Sequence, residues 1–162
     1  MSRLPWLSDV TPFASQDAPF VSIIFAARDE AEKLPAAIET LLAQDYPSFE
    51  VVAVNDRSTD QTPAILHESA RMSRNLIVTD IASLPPGWLG KPHGLQTAYE
   101  NSRGEWLVFT DGDVSFAPEV VRRAMALAMQ KGWDHLTLLG RAEMYGFFEK
   151  IAMTFFGFGF AL

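Results

Sequence analysis

FVSIIFAARDE, residues 20–30, decides the fold. Its first eight positions are apolar or small, include three β-branched residues and show no alternation, as expected of a strand covered on both faces. The run then breaks abruptly into Arg28-Asp29-Glu30. The same grammar recurs downstream: FEVVAVN (49–55) runs into Asp56-Arg57-Ser58, NLIVTD spans 75–80, and EWLVFT (105–110) ends in Asp111-Gly112-Asp113. The segments between these strands have helical period. Asp29 to Gln44 carries Leu34, Ala37, Ile38, Leu41 and Leu42 on one face. A second helix, capped by Ser58 or Asp60 with Pro63 in its first turn, runs to about Arg74. A Pro/Gly-rich loop, Ser83–Pro92, precedes a third helix over His93–Ser102. Pro118–Lys131 forms a fourth, ended by Gly132, and His135–Leu139 is expected as a fifth strand. Strands alternating with helices at this pitch predict an α/β fold, a mostly parallel sheet flanked by helices with right-handed crossovers.

Composition sets the outer bounds. The chain has 162 residues, 48% of them apolar, enough for one domain with a core and too few for two ordinary ones. Its formal net charge of −7 argues against a nucleic-acid partner, since a phosphate backbone rewards a basic surface. There is no cysteine, so neither a disulfide framework nor a thiolate metal site is expected. The first 19 residues are broken by Pro5, Pro12 and Pro19 and read as a leader with neither a signal-peptide core nor a membrane span. At the other end, six of the twelve Phe residues fall between Phe147 and Phe160. Ile151–Leu162 is shorter than the ~20 apolar residues a spanning helix needs. With the charged residues before it, 141–162 reads as a helix lying at a membrane surface or packed under the domain.

In an open parallel sheet, ligands bind beyond the carboxyl ends of the strands, where the polar clusters fall. Asp111 and Asp113 can turn toward one point if the backbone bends at Gly112, and two neighbouring carboxylates invite a cation. A hard divalent ion, Mn²⁺ or Mg²⁺, suits such oxygens together with those of a diphosphate. The competing reading is an ordinary strand-to-helix turn. Asp56 is placed to accept hydrogen bonds from a nucleobase or ribose edge, whereas Asp60 reads as a capping residue. Lys91, in the loop before the third helix, can meet a phosphate as a point charge or face solvent, and Arg28 has the same two readings. His93 lacks a second histidine at ligand spacing.

Taken in order, these segments resemble family 2 glycosyltransferases. Val21–Glu30 is similar to the family's opening strand and P-A-R-N-E turn, Gln44-Asp45-Tyr46-Pro47 with Val54–Asp60 to its Q-x-Y-P … D-D-x-S-x-D segment, Gly90–Ala98 to its G-K-x-x-A-L-N-x-A stretch, and Asp111-Gly112-Asp113 to its D-x-D. The resemblance covers most of Phe20–Pro118. It implies a GT-A fold over 20–140, a nucleotide-sugar donor, usually a UDP-sugar, and a divalent cation. By position, Asp56 would contact the base, Lys91 the base or phosphates, Asp111 the ribose or metal, and Asp113 would be the main metal ligand. Ala26, Ala27, Arg28, Glu30 and Gly112 would border the nucleotide-sugar. Ala26, Asp29, Asn55 and Gln96 depart from the family's usual residues. The family's catalytic base lies in a later Glu-Asp pair, and none follows Asp113, so the acceptor half is expected to be missing and the catalytic residue is not assigned.

The resemblance therefore implies inverting transfer at the cytoplasmic face of a membrane, with a lipid-linked acceptor as one option and 141–162 as the membrane contact. A catalytically inactive donor-binding or interaction module is the alternative. A phosphatase using Asp111 and Asp113 is disfavoured, because that motif belongs on a first strand rather than a fourth.

Overall fold

The computed structural model describes residues 6–12, 18–138 and 140. Among them, four strands form one parallel sheet in the order β3-β2-β1-β4: β1 (Val21–Ala27), β2 (Phe49–Asp56), β3 (Leu76–Ile81) and β4 (Trp106–Phe109). Four helices connect or follow them: α1 (Leu34–Leu42), α2 (Thr62–Met72), α3 (Gly90–Glu100) and α4 (Val120–Lys131). The α/β architecture is the one expected.

β1 is central, and its alternating side chains build two cores. Val21, Ile23, Phe25 and Ala27 pack with Leu34, Ile38 and Leu41 of α1, Leu66 of α2, and Val121 and Met125 of α4. Ile24 points the other way, against Val52, Val54 and Ala98 of α3. Registers of Val21↔Phe49 and Val21↔Trp106 bring the strand starts level, and the parallel order sends the turns after β1, β2 and β4 to one edge. Burial on both faces explains why β1 and β2 read as unbroken apolar runs, whereas β3 and β4 are partly exposed.

Three expectations shift. The first helix starts at Leu34; Ala31–Lys33 form a turn whose Lys33 N–H donates to Glu30 O at 3.1 Å. The third helix starts at Gly90, so Lys91 lies in a first turn and not in a loop. Pro92 is tolerated there because an N–H in the first turn has no intrahelical acceptor. No strand forms over 135–138, and Leu139 lies outside the described residues. α4 ends as read: Gly132 takes φ +63° and Trp133 N–H returns to Ala128 O at 2.9 Å. Part of the leader is docked, since Arg123 Nη1 donates to Ser8 O and Val10 O. The interface-helix expectation for 141–162 lies outside the described residues. Among those described, no helix is long and apolar enough to cross a membrane.

Candidate functional site

The turns after β1 and β2 are built as one unit. Asp29 and Arg57 hold φ of +53° and +58°, a region non-glycine residues rarely occupy. Side chains hold that geometry. Asp29 Oδ1 accepts from Thr59 N (2.7 Å) and Thr59 Oγ1 (3.2 Å), and Ser58 Oγ accepts from Asp29 N at 3.1 Å. Asp60 accepts from Thr62 N (2.8 Å) and Ala31 N (3.0 Å), and Thr62 Oγ1 accepts from Glu30 N at 2.9 Å. The N-cap position of α2 is Gln61, so Asp60 is not the helix cap its position suggested; it binds the N–H of the first helical residue and that of Ala31 and so joins the two turns. Asn55 donates Nδ2 to Asp80 (2.8 Å) and accepts from Ser58 N (3.2 Å), tying β2 to β3 and to the turn. Its departure from the family's Asp has a local reason: a carboxylate at 55 would face Asp80 with like charge.

Beside this frame lies Asp56, 3% exposed, with both oxygens held by Arg57 at 2.7 and 3.0 Å. Those hydrogen bonds keep its carboxyl below the usual range against the opposing effect of burial, and Arg28 and His93 add positive field. The start of α3 closes over the pair. A Cβ on Gly90 would stand 2.5 Å from Asp56 Oδ2, so glycine is what lets the helix approach. Four residues on, a Cβ on Gly94 would stand 2.6 Å from the Ala26 Cβ, so Ala26 faces α3 and the sheet–helix contact needs small residues on both sides. Ala27 points to the opposite core and is fully buried. Arg28 is exposed, 3.9 Å from Asp29. Trp88 meets His93 edge-on at 5.3 Å, and His93 Nδ1 is buried with no partner among the described residues.

The second half of the site surrounds Asp111-Gly112-Asp113. Lys91 pairs with Asp111 through Oδ1, and Lys33 Nζ lies 3.2 Å from Asp113 Oδ2. A Cβ on Gly112 would stand 2.2 Å from Glu30 Oε2. That Glu30 oxygen is buried with no hydrogen-bond partner among the described residues. Burial, then Asp113 and Asp111, push the Glu30 carboxyl above its ordinary range, with Lys91 and Lys33 opposing. Three carboxylates therefore share one small region, offset by two lysines.

The donor set fits a hard divalent cation bound jointly with a phosphate ligand. No group of three Asp, Glu or His among the described residues is placed to hold a metal alone. Magnesium-like ions, however, commonly take one or two carboxylates and complete their shell with water and substrate phosphates. The orphaned Glu30 oxygen and the lysine-paired Asp111 and Asp113 mark the region where positive charge is wanted.

The structure thus brings together Glu30, Lys91, Asp111, Gly112 and Asp113, and separately Asp56 with Arg28, while the side chains of Ala26 and Ala27 serve the two cores. Sequence reading missed Lys33, Arg57 and Gly90 as parts of the site. Lys33 carries no motif signal, whereas Gly90 and Arg57 sit inside the matched segments, where the sequence alone gives neither a role.

Comparison with known proteins identifies the family and agrees with the fold. Residues 22–150 match the family described as glycosyl transferase family 2. The succinoglycan biosynthesis protein ExoO of Rhizobium meliloti is 32% identical over 123 residues, covering 76% of this chain and 34% of ExoO. Among solved structures, the mannosyltransferase PcManGT from Pyrobaculum calidifontis, in complex with GDP-Man and Mn²⁺, superposes with a TM-score of 0.64 at 30% identity, over 78% of this chain and 36% of that one. Staphylococcus aureus TarS 1–349 in complex with UDP-GlcNAc gives 0.59 at 30% identity, over 68% and 31%. The chain spans between 23% and 41% of the length of the first curated relatives it matches.

Proposed function

The chain belongs to glycosyl transferase family 2, and from that premise we propose that residues 20–140 bind a nucleoside-diphosphate sugar, a UDP-sugar first, together with Mn²⁺ or Mg²⁺, for inverting transfer to an acceptor. One observation carries the reading. Lys91, in the first turn of α3, pairs with Asp111 just past β4, while one residue earlier Gly90 lies against Asp56. One helix start therefore spans the distance from a base-side carboxylate to a phosphate-side one.

In this reading the Asp56–Arg57 pair, with its rigid turn, presents the polar edge that a nucleobase and ribose meet. Arg28 and Lys91 supply positive charge along the diphosphate. Asp111 and Asp113 would hold the cation, which when bound supplies charge neutralisation to the diphosphate leaving group. Two relatives support a nucleotide donor: one is solved with GDP-Man and Mn²⁺, the other with UDP-GlcNAc. A lipid-linked acceptor at the inner face of a membrane rests on the aromatic 141–162 segment of the sequence. Co-sedimentation with anionic vesicles, lost on truncation after residue 140, tests that placement.

The alternative is a module that binds donor and transfers nothing. Hydrolysis of UDP-sugars by the chain would exclude it.

The decisive experiment is calorimetric titration of UDP, and in parallel GDP, with Mn²⁺ and then with EDTA. Binding is expected to need the cation, and Asp113→Ala is expected to weaken it by about tenfold or more, some 1.4 kcal/mol, with unchanged circular dichroism. Unchanged affinity in the variant would remove the cation from this reading. No binding of either nucleotide to the folded chain would remove the donor.

A further inference from the structure

Lys33 belongs to none of the segments through which the site was first read. It precedes α1, its backbone N–H fixed to Glu30 O, and its ammonium lies 3.2 Å from Asp113. Lys91 reaches Asp111 from the opposite side: α1 packs on one face of the sheet through Leu34, Ile38 and Leu41, and α3 on the other through Ala98. The two-carboxylate turn is therefore held between two ammonium groups delivered from the two faces. Glu30, carrying its orphaned oxygen, stands beside the same turn.

We propose that Lys33 is a built-in counter-cation of Asp113, which a divalent ion must displace, and that it couples cation loading to arrival of the diphosphate. This rests on Asp113 being a cation ligand, as in the function proposed above. The physical argument is charge balance. An ammonium and a divalent cation compete for the same carboxylate, and each raises the cost of the other at this distance. A divalent ion alone must therefore break the Lys33–Asp113 pair and leave the ammonium facing a second cation. A diphosphate brings the negative charge that relieves this repulsion and gives the released ammonium a new partner. Lys33 thereby disfavours the ion alone and favours the ion with nucleotide, which is positive coupling between the two ligands.

The test is Mn²⁺ affinity of the whole chain without nucleotide, read by the loss of the free-Mn²⁺ paramagnetic resonance signal at low ionic strength, for wild type, Lys33→Gln, Lys33→Arg and Asp113→Asn. Lys33→Gln is expected to bind Mn²⁺ about two- to fivefold more tightly, the range an exposed ion pair permits. The same variant should show a smaller gain in Mn²⁺ affinity on adding UDP. Lys33→Arg, keeping the charge, should stay near wild type; a merely structural lysine would not give this pattern. If Asp113→Asn weakens Mn²⁺ binding but Lys33→Gln leaves it unchanged or weaker, the role of Lys33 is overturned while the cation site stands. If Asp113→Asn leaves Mn²⁺ affinity unchanged, the cation assignment fails and the role of Lys33 falls with it.

Discussion

The two ends of the sheet treat buried charge in opposite ways. At the amino end, Glu50 is 2% exposed and saturated: it accepts from Ser22 Oγ (2.8 Å), Arg103 N (2.7 Å), Arg103 Nε (3.0 Å) and Arg103 Nη2 (2.6 Å). Ser22 Oγ in turn accepts from Gly104 N at 2.8 Å, and Arg103 stacks over Phe20 at 5.7 Å. Burial pushes the Glu50 carboxyl up, but the hydrogen bonds from Arg103 and Ser22 outweigh it and hold the group below its ordinary range. At the carboxyl end, Glu30 has a buried oxygen with no partner among the described residues, and its carboxyl is pushed up. A carboxylate whose lone pairs are filled by the protein fastens the fold. One left short beside two others marks a place where the fold gives up stability to keep a site ready for a ligand.

The largest effect should come from breaking the closed end. Glu50→Ala strands the buried Ser22 hydroxyl as a donor, takes the acceptor from the part-buried Arg103 N–H and returns the exposed Arg103 guanidinium to water, and should cost about 3 kcal/mol in chemical denaturation. The milder Glu50→Gln exposes the pH dependence. Because the folded carboxyl is held below its ordinary value of 4.5, the stability contributed by ionised Glu50 is complete above that value. It is lost as pH falls through the lower folded one. The stability gap between wild type and Glu50→Gln should therefore be full at neutral pH and close in acid. A gap that persists unchanged in acid would mean the clasp is held by packing and not by charge.

This clasp was invisible in the sequence, and the reason is instructive. Glu50 sits within FEVVAVN, where periodicity marks a buried strand but cannot say that one polar side chain in it is buried with partners 53 residues away. The central strands β1 and β2 were legible because both of their faces are covered, which leaves unbroken apolar runs. Helix starts were less legible. Asp29–Lys33 has helical composition, yet its polar groups are committed to the β2–α2 turn, so regular helix waits until Leu34. At the site, the carboxylates stood out because acidic residues after buried strands are conspicuous. Their cationic partners did not. Lys33 meets Asp113 across 80 residues, a pairing that forms only because α1 lies against the segment after β4, where Thr40 Oγ1 also accepts from Phe116 N.

An intermediate effect should follow from Gly94→Ala, which tests whether the open end depends on close packing behind it. The new Cβ would meet the Ala26 Cβ at 2.6 Å, and neither group can swing away, so α3 must lift from the sheet. Overpacking of this kind costs about 1–3 kcal/mol. The shift would carry Gly90 and Lys91 with it, so nucleotide affinity should fall even at a temperature where the variant is fully folded. Gly112→Ala separates the two causes. Its nearest contact is the end of the flexible Glu30 side chain at 2.2 Å, which can move, so the fold should lose less than in Gly94→Ala while the site is still disturbed. Equal melting losses in the two variants would show that Glu30 is fixed as rigidly as the sheet.

The smallest effect has the opposite sign and completes the contrast between the two glutamates. Glu30 has its folded carboxyl raised above the ordinary 4.5, by burial first and then by Asp113 and Asp111. Folding therefore favours its neutral form: stability begins to fall as pH rises through the ordinary value, where the unfolded chain ionises, and the loss is complete above the folded value. Glu30→Gln removes that charge and should stabilise the ligand-free chain by about 0.5 kcal/mol at neutral pH, a size set by solvent screening at a partly exposed position. Below the ordinary carboxyl value the gain should vanish, because Glu30 is then neutral in both states. Melting curves in EDTA from acid to neutral pH should thus converge for Glu30→Gln and wild type toward acid, with the variant above at neutrality. Glu50→Gln should converge from below. If Glu30→Gln is instead destabilising at neutral pH, Lys33 and Lys91 already satisfy the charge of Glu30, and the open end is as fully compensated as the closed one.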